Sequence, residues 1–513
     1  MPETAPPPAT TSRSRAAAHR IMSLVLLATM AAAGILWVDQ ARPRGARQAD
    51  APDAVLTALQ VAEAGRVPGY RDVVPVLTYH AVSDTDRGEY TVGVQRFAAQ
   101  MAALERAGFT TVTPSTVGKL VRGERVDLPE RPLLLTFDDG VATTWIHVDP
   151  VLRRHGFVAT TFLITGSVSP GDKRSYYLNE EQVRYLAGSG RWTFGGHTHS
   201  LHRFAAARGG GAAPSLSNLL VRPDGTPETL ADWRARVDAD LSASTAAMVE
   251  RLGLQAPTAF AYPFGSAAGN DPRVRDELAR LLAGHGYRLG FTGEAGRTDA
   301  GRAVAPGADA LHLPRLEVRA DTTVEELLTG LGGTIPTPMP REPLGLGWQG
   351  TSARCAVRGR GAAAVLRVSP TSAYGSCRPV ANAFLWRDYR WAFRVSGVSR
   401  TVTAVVGIRS VTGPVRRRVE LAIGESSAEL RQVVGGRRSV LARVRLPGPA
   451  PSPSTVSDVV IHVSGRNVTV RLRSVGMAGV IDPSIATGGV DVSVASAARR
   501  TVTISGAVLT GTA

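Results

Sequence analysis

Two adjacent carboxylates close an apolar run, Leu133-Leu134-Leu135-Thr136-Phe137-Asp138-Asp139-Gly140. A buried strand ending in Asp138 and Asp139 delivers both to the C-terminal edge of a sheet, where α/β folds hold their ligands, so that one can bind a cation while its neighbour works as a base. Downstream, His197-Thr198-His199-Ser200-Leu201-His202 places three imidazoles in six residues, behind a segment, Arg191 to Gly196, that reads as a short strand with a glycine turn. Two imidazoles and one carboxylate make a facial set of three that leaves positions open for water and substrate. Taken singly, Asp-Asp-Gly is often only a turn, and one histidine is usually structural. Three clustered imidazoles are harder to satisfy by packing, because each buried ring needs polar partners. Together the two motifs point to a metal-hydrolase centre.

The segments Pro75-Val76-Leu77-Thr78-Tyr79-His80, Thr136-Phe137-Asp138-Asp139-Gly140, Ala159-Thr160-Thr161-Phe162-Leu163, the histidine cluster and Phe260-Ala261-Tyr262-Pro263-Phe264-Gly265 follow one another as they do in the NodB-homology polysaccharide deacetylases. The chain resembles that family over roughly residues 72–330. It is most similar to the branch that deacetylates poly-N-acetylglucosamine, which carries an early Tyr-His element and spaces its second histidine five residues after the first; a spacing of four would land on Leu201. The resemblance implies Asp139, His197 and His202 as metal ligands, with His199 the substitute, and Asp138 as general base. It implies a divalent cation, zinc foremost, and the hydrolysis of N-acetyl groups on an N-acetylhexosamine polymer, releasing acetate and leaving a free amine. The Phe264 backbone N–H would share the oxyanion with the metal, beside Tyr262 and Pro263 as substrate-binding residues; a plain strand-to-loop turn is the alternative reading there. The branch assigns the general acid to the histidine that maps onto His80, and His312 is the second candidate. Two departures stand out. No late Leu-x-His-Asp motif occurs, and the arginine usual near the third motif is absent, which leaves the orientation of Asp138 open. A peptidoglycan or chitin-type oligosaccharide deacetylase, and a catalytically silent polysaccharide-binding surface protein, remain alternatives.

These residues need a scaffold. Val73 to Tyr79 reads as a strand, Val94 to Gly108 as a helix with Phe97, Met101 and Leu104 on one face, and Leu133 to Phe137 as the strand carrying the aspartates. A helix over Val141 to His155, a strand over Ala159 to Ile164, a helix over Glu180 to Ser189, a long helix over Trp233 to Leu252 and a strand over Thr258 to Tyr262 continue the alternation. Such βα alternation is that of an α/β fold with a parallel sheet closed, or nearly closed, as a barrel; the family's distorted (β/α)7 barrel agrees. Residues 204–230 break the rhythm with Gly, Pro and Ser, as a groove wall or a disordered spacer. Prolines at 336, 338, 340 and 343 mark a linker over 332–345, closing a catalytic domain at 71–331. Beyond it short alternating runs predict an all-β, jelly-roll-like sandwich over 346–513. Trp348, Trp386 and Trp391 could stack on sugars there or pack a core.

The chain has 513 residues and a formal charge of +16, carried almost wholly by arginine, since Lys119 and Lys173 are its lysines. No basic run is interleaved with aromatics, so nucleic-acid binding is not expected; attraction to an anionic envelope is the better reading of the charge. Residues 21–38 form an uncharged apolar run long enough to span a bilayer. Arg13, Arg15 and Arg20 precede it, which keeps residues 1–20 cytoplasmic and sends the catalytic part outside through a linker at 39–70. Cleavage near Ala31-Ala32-Ala33, and hence secretion, is the rival. Cys355 and Cys377, an even pair in an exported chain, are expected to form a disulfide.

Overall fold

The computed structural model describes residues 47–293, 303–411, 417–447 and 455–512. The expected cytoplasmic tail and membrane anchor lie outside the described residues. Among the described residues, no helix is long and apolar enough to cross a membrane.

The apolar run before the aspartates becomes a strand, Pro132–Phe137, buried along its whole length. It lies at the middle of a parallel sheet, and its continuous hydrophobicity is what a strand covered on both faces requires. We label the strands β1 (Val76–Tyr79), β2 (Thr110–Thr111), β3 (Pro132–Phe137), β4 (Ala159–Leu163), β5 (Trp192–Gly196), β6 (Ala259–Ala261), β7 (Leu289–Phe291) and β8 (Leu316–Glu317). Their order is β7-β6-β5-β4-β3-β1-β8, with β2 paired to β3. The segment leading into β8 closes the curl, because Leu313 bridges Phe291 on one side and Leu316 pairs with Leu77 on the other. The architecture is a parallel sheet curled nearly into a barrel, as the alternation of elements predicts.

Register decides which side chains meet. Tyr79 pairs with Phe137, so His80 and Asp138 leave β1 and β3 side by side. Gly196 pairs with Phe260, so His197 leaves β5 beside Ala261. The expected helix over 141–155 is present in two parts, a π-type turn at Thr144–Val148 and an α-helix at Asp149–His155. Pro150 has no N–H to offer the Ile146 carbonyl, which accepts from Ala49 N–H instead at 2.9 Å, and the ladder widens there.

Residues 204–230 form a wall. A hairpin, Phe204–Ala206 with Ala212–Pro214, is followed by buried Leu216, Leu219 and Leu220. Trp233 Nε1 donates to the Leu216 carbonyl, and Arg236 donates to the carbonyls of Ser215 and Asn218.

The boundary expected at 332 falls inside a helix, Val324–Thr334. The prolines that follow are tied down rather than free, since Trp386 Nε1 donates to the Thr337 carbonyl and Asn382 donates to the carbonyls of Gly333 and Thr334. The C-terminal part is a sandwich of two seven-stranded antiparallel sheets. The first contains Tyr374–Pro379, Gly489–Ser496, Val402–Val411, Arg417–Ile423 and Ser427–Val434; the second contains Ala353–Arg358, Val365–Pro370, Val502–Gly511, Tyr389–Ser396, Ser457–Ser464 and Asn467–Leu472. Alternate residues of both face a shared core. Of the two readings of the tryptophans, the structure favours packing: Trp386 and Trp391 belong to that core, at 3% and 0% exposure, and Trp348 is half-buried with Nε1 donating to the Pro343 carbonyl. Cys355 and Cys377 form a disulfide that joins one sheet to the other. Closing a 22-residue loop contributes about 3 kcal/mol by restricting the unfolded chain.

Candidate active site

The end of the barrel reached by β1, β3, β5 and β6 collects the motif residues. Asp139 Oδ1 lies 3.4 Å from His197 Nε2 and 3.3 Å from His202 Nε2. Among the described residues this is the group of three side chains able to hold a metal ion, with ligand atoms all within 4.8 Å of one another. Three backbone positions around it adopt the left-handed region without being glycine: Asp139 (φ 70°), Thr198 (φ 72°) and Phe264 (φ 57°). Such strain persists only where the surroundings over-determine it, and it concentrates at functional sites.

Each ligand candidate is oriented by its neighbours. His197 is buried, and its Nδ1 lies 2.7 Å from the Ala261 carbonyl, which makes Nδ1 the protonated nitrogen and leaves Nε2 to face Asp139. Gly196, just before it, has no room for a side chain, since a Cβ would stand 2.3 Å from the Tyr287 hydroxyl. Burial works against a charged His197, but the hydrogen bond to Asp139 and the charges of Asp138 and Asp139 outweigh it and raise its pKa. His202 goes the other way: burial and then His197 depress it to about 4, so its ring is neutral. It packs between His197 and the ring of Phe264, at centroid distances of 4.8 and 4.5 Å. Burial pushes Asp139 up, yet the hydrogen bond from His197 and the nearby histidines hold it well below the usual carboxylate range. Its Oδ1 is nonetheless a buried oxygen without a hydrogen bond of good geometry. An orphaned carboxylate oxygen facing two imidazole nitrogens, one neutral and one fixed in its tautomer, fits a divalent cation.

His199 does not join this group. Its Nδ1 is 3.0 Å from Thr165 Oγ1, and its N–H donates to Asp240. Asp240, on the helix Leu230–Ala246, also accepts from Ser200 N–H and Oγ, and so holds the loop that presents His197 and His202. His202→Gln is expected to weaken zinc binding on the order of 100-fold, because a ligand is lost. His199→Gln should leave zinc affinity near wild type. Competition against a chelating dye reads both, and equal losses would mean that the loop, not the ligand, was being measured.

Asp138 has a partner that the motifs did not reveal. Arg315 holds it in a bidentate pair, Nη1 to Oδ1 and Nη2 to Oδ2 both at 2.7 Å, with both side chains buried. Arg315 also donates to Thr136 Oγ1 and the Thr292 carbonyl. This arginine supplies the orientation of Asp138 that the third motif left open, from the segment that closes the barrel. Burial pushes Asp138 up, and Arg315 followed by His197 overcome it, leaving the carboxylate below its ordinary pKa.

The remaining candidates divide. His80 stands against the ring of Tyr90, its Nδ1 buried without a partner, and it acts electrostatically on both aspartates. His312 is engaged with Asp309, Nδ1 to Oδ2 at 3.0 Å, and stacks on Tyr262. Tyr262 is fully buried with its hydroxyl donated to the Leu311 carbonyl, and Pro263 is buried, so both support the loop rather than face a ligand through their side chains. Phe264 is 45% exposed and packs on Phe204 of the wall, which places an aromatic rim beside His202.

Known proteins are similar to part of this chain. The chain is 28% identical over 239 residues to the poly-beta-1,6-N-acetyl-D-glucosamine N-deacetylase of Escherichia coli, covering 44% of this chain and 34% of that protein, so it spans about a third of that relative's length. It is 25% identical over 243 residues to the putative polysaccharide deacetylase YxkH of Bacillus subtilis, covering 47% of this chain and 71% of that one. Superposition on IcaB from Ammonifex degensii covers 51% of this chain and 97% of that one, at 28% identity and a TM-score of 0.39. Residues 125–289 match the polysaccharide deacetylase family model, and over that stretch, which runs from before Asp138 through both histidines to β7, the chain is similar to the polysaccharide deacetylase family.

Proposed function

We propose that the chain is a metal-dependent N-deacetylase acting outside the cytoplasm on a poly-N-acetylglucosamine-type polysaccharide. The observation that carries the reading is the pairing of two adjacent aspartates in different states of engagement: Asp138 gripped by Arg315, and Asp139 turned with an unsatisfied oxygen toward His197 and His202. One is built to be a base and the other a ligand.

Bound at Asp139, His197 and His202, a divalent cation such as zinc would supply Lewis acidity toward the amide carbonyl and acidify water. Asp138, ionised by Arg315, takes the proton as water attacks the N-acetyl carbon. The Phe264 N–H, at the left-handed turn beside His202, donates to the oxygen that gains charge. His80, whose Nδ1 has no other partner, donates a proton to the departing amine, and acetate is released. His312 is the weaker candidate for that proton, because Asp309 and Tyr262 already engage it. The aromatic rim of Phe204 and Phe264 gives a sugar ring a face to stack on.

Substrate class is tested by acetate release from β-1,6-linked N-acetylglucosamine oligomers, chitin oligomers and peptidoglycan. The reading expects the β-1,6 oligomers to have the highest kcat/KM. A preference for chitin oligomers or peptidoglycan would replace the polymer while keeping the reaction.

A further inference from the structure

We propose that the outer face of the second sandwich sheet binds an acidic polysaccharide, one bearing carboxylate or phosphodiester groups. Six arginines project from it: Arg354, Arg358, Arg367, Arg390, Arg394 and Arg471, all exposed. Strand alternation puts them there, because their neighbours Leu366, Val368, Trp391, Phe393, Val395, Val470 and Leu472 fill the core. The strands of this sheet contribute one carboxylate to that face, Asp458, against six guanidinium groups.

Among the described residues, none of the six has an ion pair within 4.0 Å. The opposite sheet is built otherwise. There Arg418 and Arg431 grip Glu420, Arg443 grips Glu429, and Arg418 approaches Asp491. The first sheet therefore engages Arg418, Arg431 and Arg443 with its own carboxylates, although its Arg417, Arg437 and Arg445 stay exposed, whereas all six arginines of the second sheet are left to an outside partner. Register spreads the charges: Arg390 lies opposite His462, which lies opposite Thr469, while Arg471 is opposite Val460 one row away. Neighbouring guanidinium groups are thus separated by on the order of 10 Å. An open depression of about 650 Å³ lies among Arg390, His462, Thr469 and Arg471.

The chemistry of the face favours a glycan over other polyanions. No Phe, Tyr or Trp side chain faces outward from these strands, and His462 is a lone imidazole, so there is no run of rings to serve as a platform for stacked bases. The outward apolar residues are small or half-buried, Ala356, Ala392, Val460, Ala478 and Val508 among them, and exposed Val480 stands alone on the edge strand, so the face offers no broad apolar wedge for a lipid surface. Hydroxyls of Thr469, Thr503, Ser505 and Thr510 lie between the arginines and suit sugar hydroxyls. De-N-acetylation makes a polymer cationic, which this face repels, so its ligand is distinct from the product of the catalytic site. The inference goes beyond the deacetylase reading and stands without it.

The test is binding of the full chain to immobilised polygalacturonate across a sodium chloride series. Binding should weaken as salt rises. The triple variant R390Q/R394Q/R471Q should bind on the order of tenfold more weakly, with unchanged thermal midpoint and unchanged acetate release. The control R66Q/R122Q/R273Q removes the same charge from exposed arginines that are already paired, and should bind as wild type does. If the triple variant fails to fold, R390Q and R471Q singly should each weaken binding more than R66Q does. Equal weakening by triple variant and control would overturn the proposal. So would tighter, equally R390Q/R394Q/R471Q-sensitive binding to duplex DNA or to phosphatidylglycerol vesicles at the same salt.

Discussion

Asp138→Asn lowers kcat/KM for acetate release about 10³-fold, the expected loss when a general base of this kind is replaced by an isosteric group that cannot accept the proton. The substitution also has a structural cost. Arg315 is 2% exposed and loses its countercharge, and a buried guanidinium left unpaired costs about 3 kcal/mol. The thermal midpoint should therefore fall along with activity, while zinc binding stays stoichiometric, because Asp139, His197 and His202 are untouched. Zinc binding separates the roles: if the asparagine variant loses the metal, Asp138 is a ligand rather than the base. Near-native kcat/KM would remove Asp138 from the chemistry altogether.

Arg315→Gln is the second large effect, and its signature is a shift in pH dependence. The base must be ionised. Burial alone would push the Asp138 carboxyl up, and Arg315 is the strongest of the influences that bring it down. With the arginine gone, the acid limb of kcat/KM moves to higher pH, and activity near neutrality falls on the order of 100-fold. Stability follows the same sign. A depressed folded-state pKa contributes stability that is present above the unfolded carboxyl's pKa and is lost as pH falls through the folded value, so the wild type should outlast the variant most clearly at neutral pH. Arg315→Lys keeps a charge but not the fork, and should recover part of the pH shift with less of the rate. An acid limb unchanged in Arg315→Gln would mean that the arginine only packs the barrel.

The cluster of Asp139, His197 and His202 and the place of Asp138 beside it were legible in the sequence, because these residues come at or just after strand ends at motifs with few alternative explanations. The resemblance placed His199 behind His197 and His202 as the substitute ligand, and in the structure Thr165 and Asp240 engage His199 instead. Arg315 was not legible. It belongs to a segment whose strand is only Leu316–Glu317, too short for any periodicity, and its partner is 177 residues away. The third motif, where an arginine was sought, lies on a different strand. Asp240 left a signal that could have been read: on its helix, Trp233, Val237, Leu241 and Ser244 form the buried face, and an acid within such a face needs a partner. The tryptophans stayed open between sugar stacking and core packing because alternation says only which residues share a face. Trp391 lies on the same face as Phe393 and Val395, and that shared face is the core.

The central claim is that a metal held by Asp139, His197 and His202 serves the removal of N-acetyl groups. It is tested most directly by mass spectrometry of a β-1,6-linked N-acetylglucosamine pentamer incubated with the full chain as prepared, after chelation with dipicolinate, and after zinc is restored. The account predicts products lighter by one acetyl group exchanged for hydrogen, their loss on chelation and their return with zinc. An unchanged pentamer in the presence of stoichiometric zinc, or deacetylation that survives complete metal removal, would contradict it.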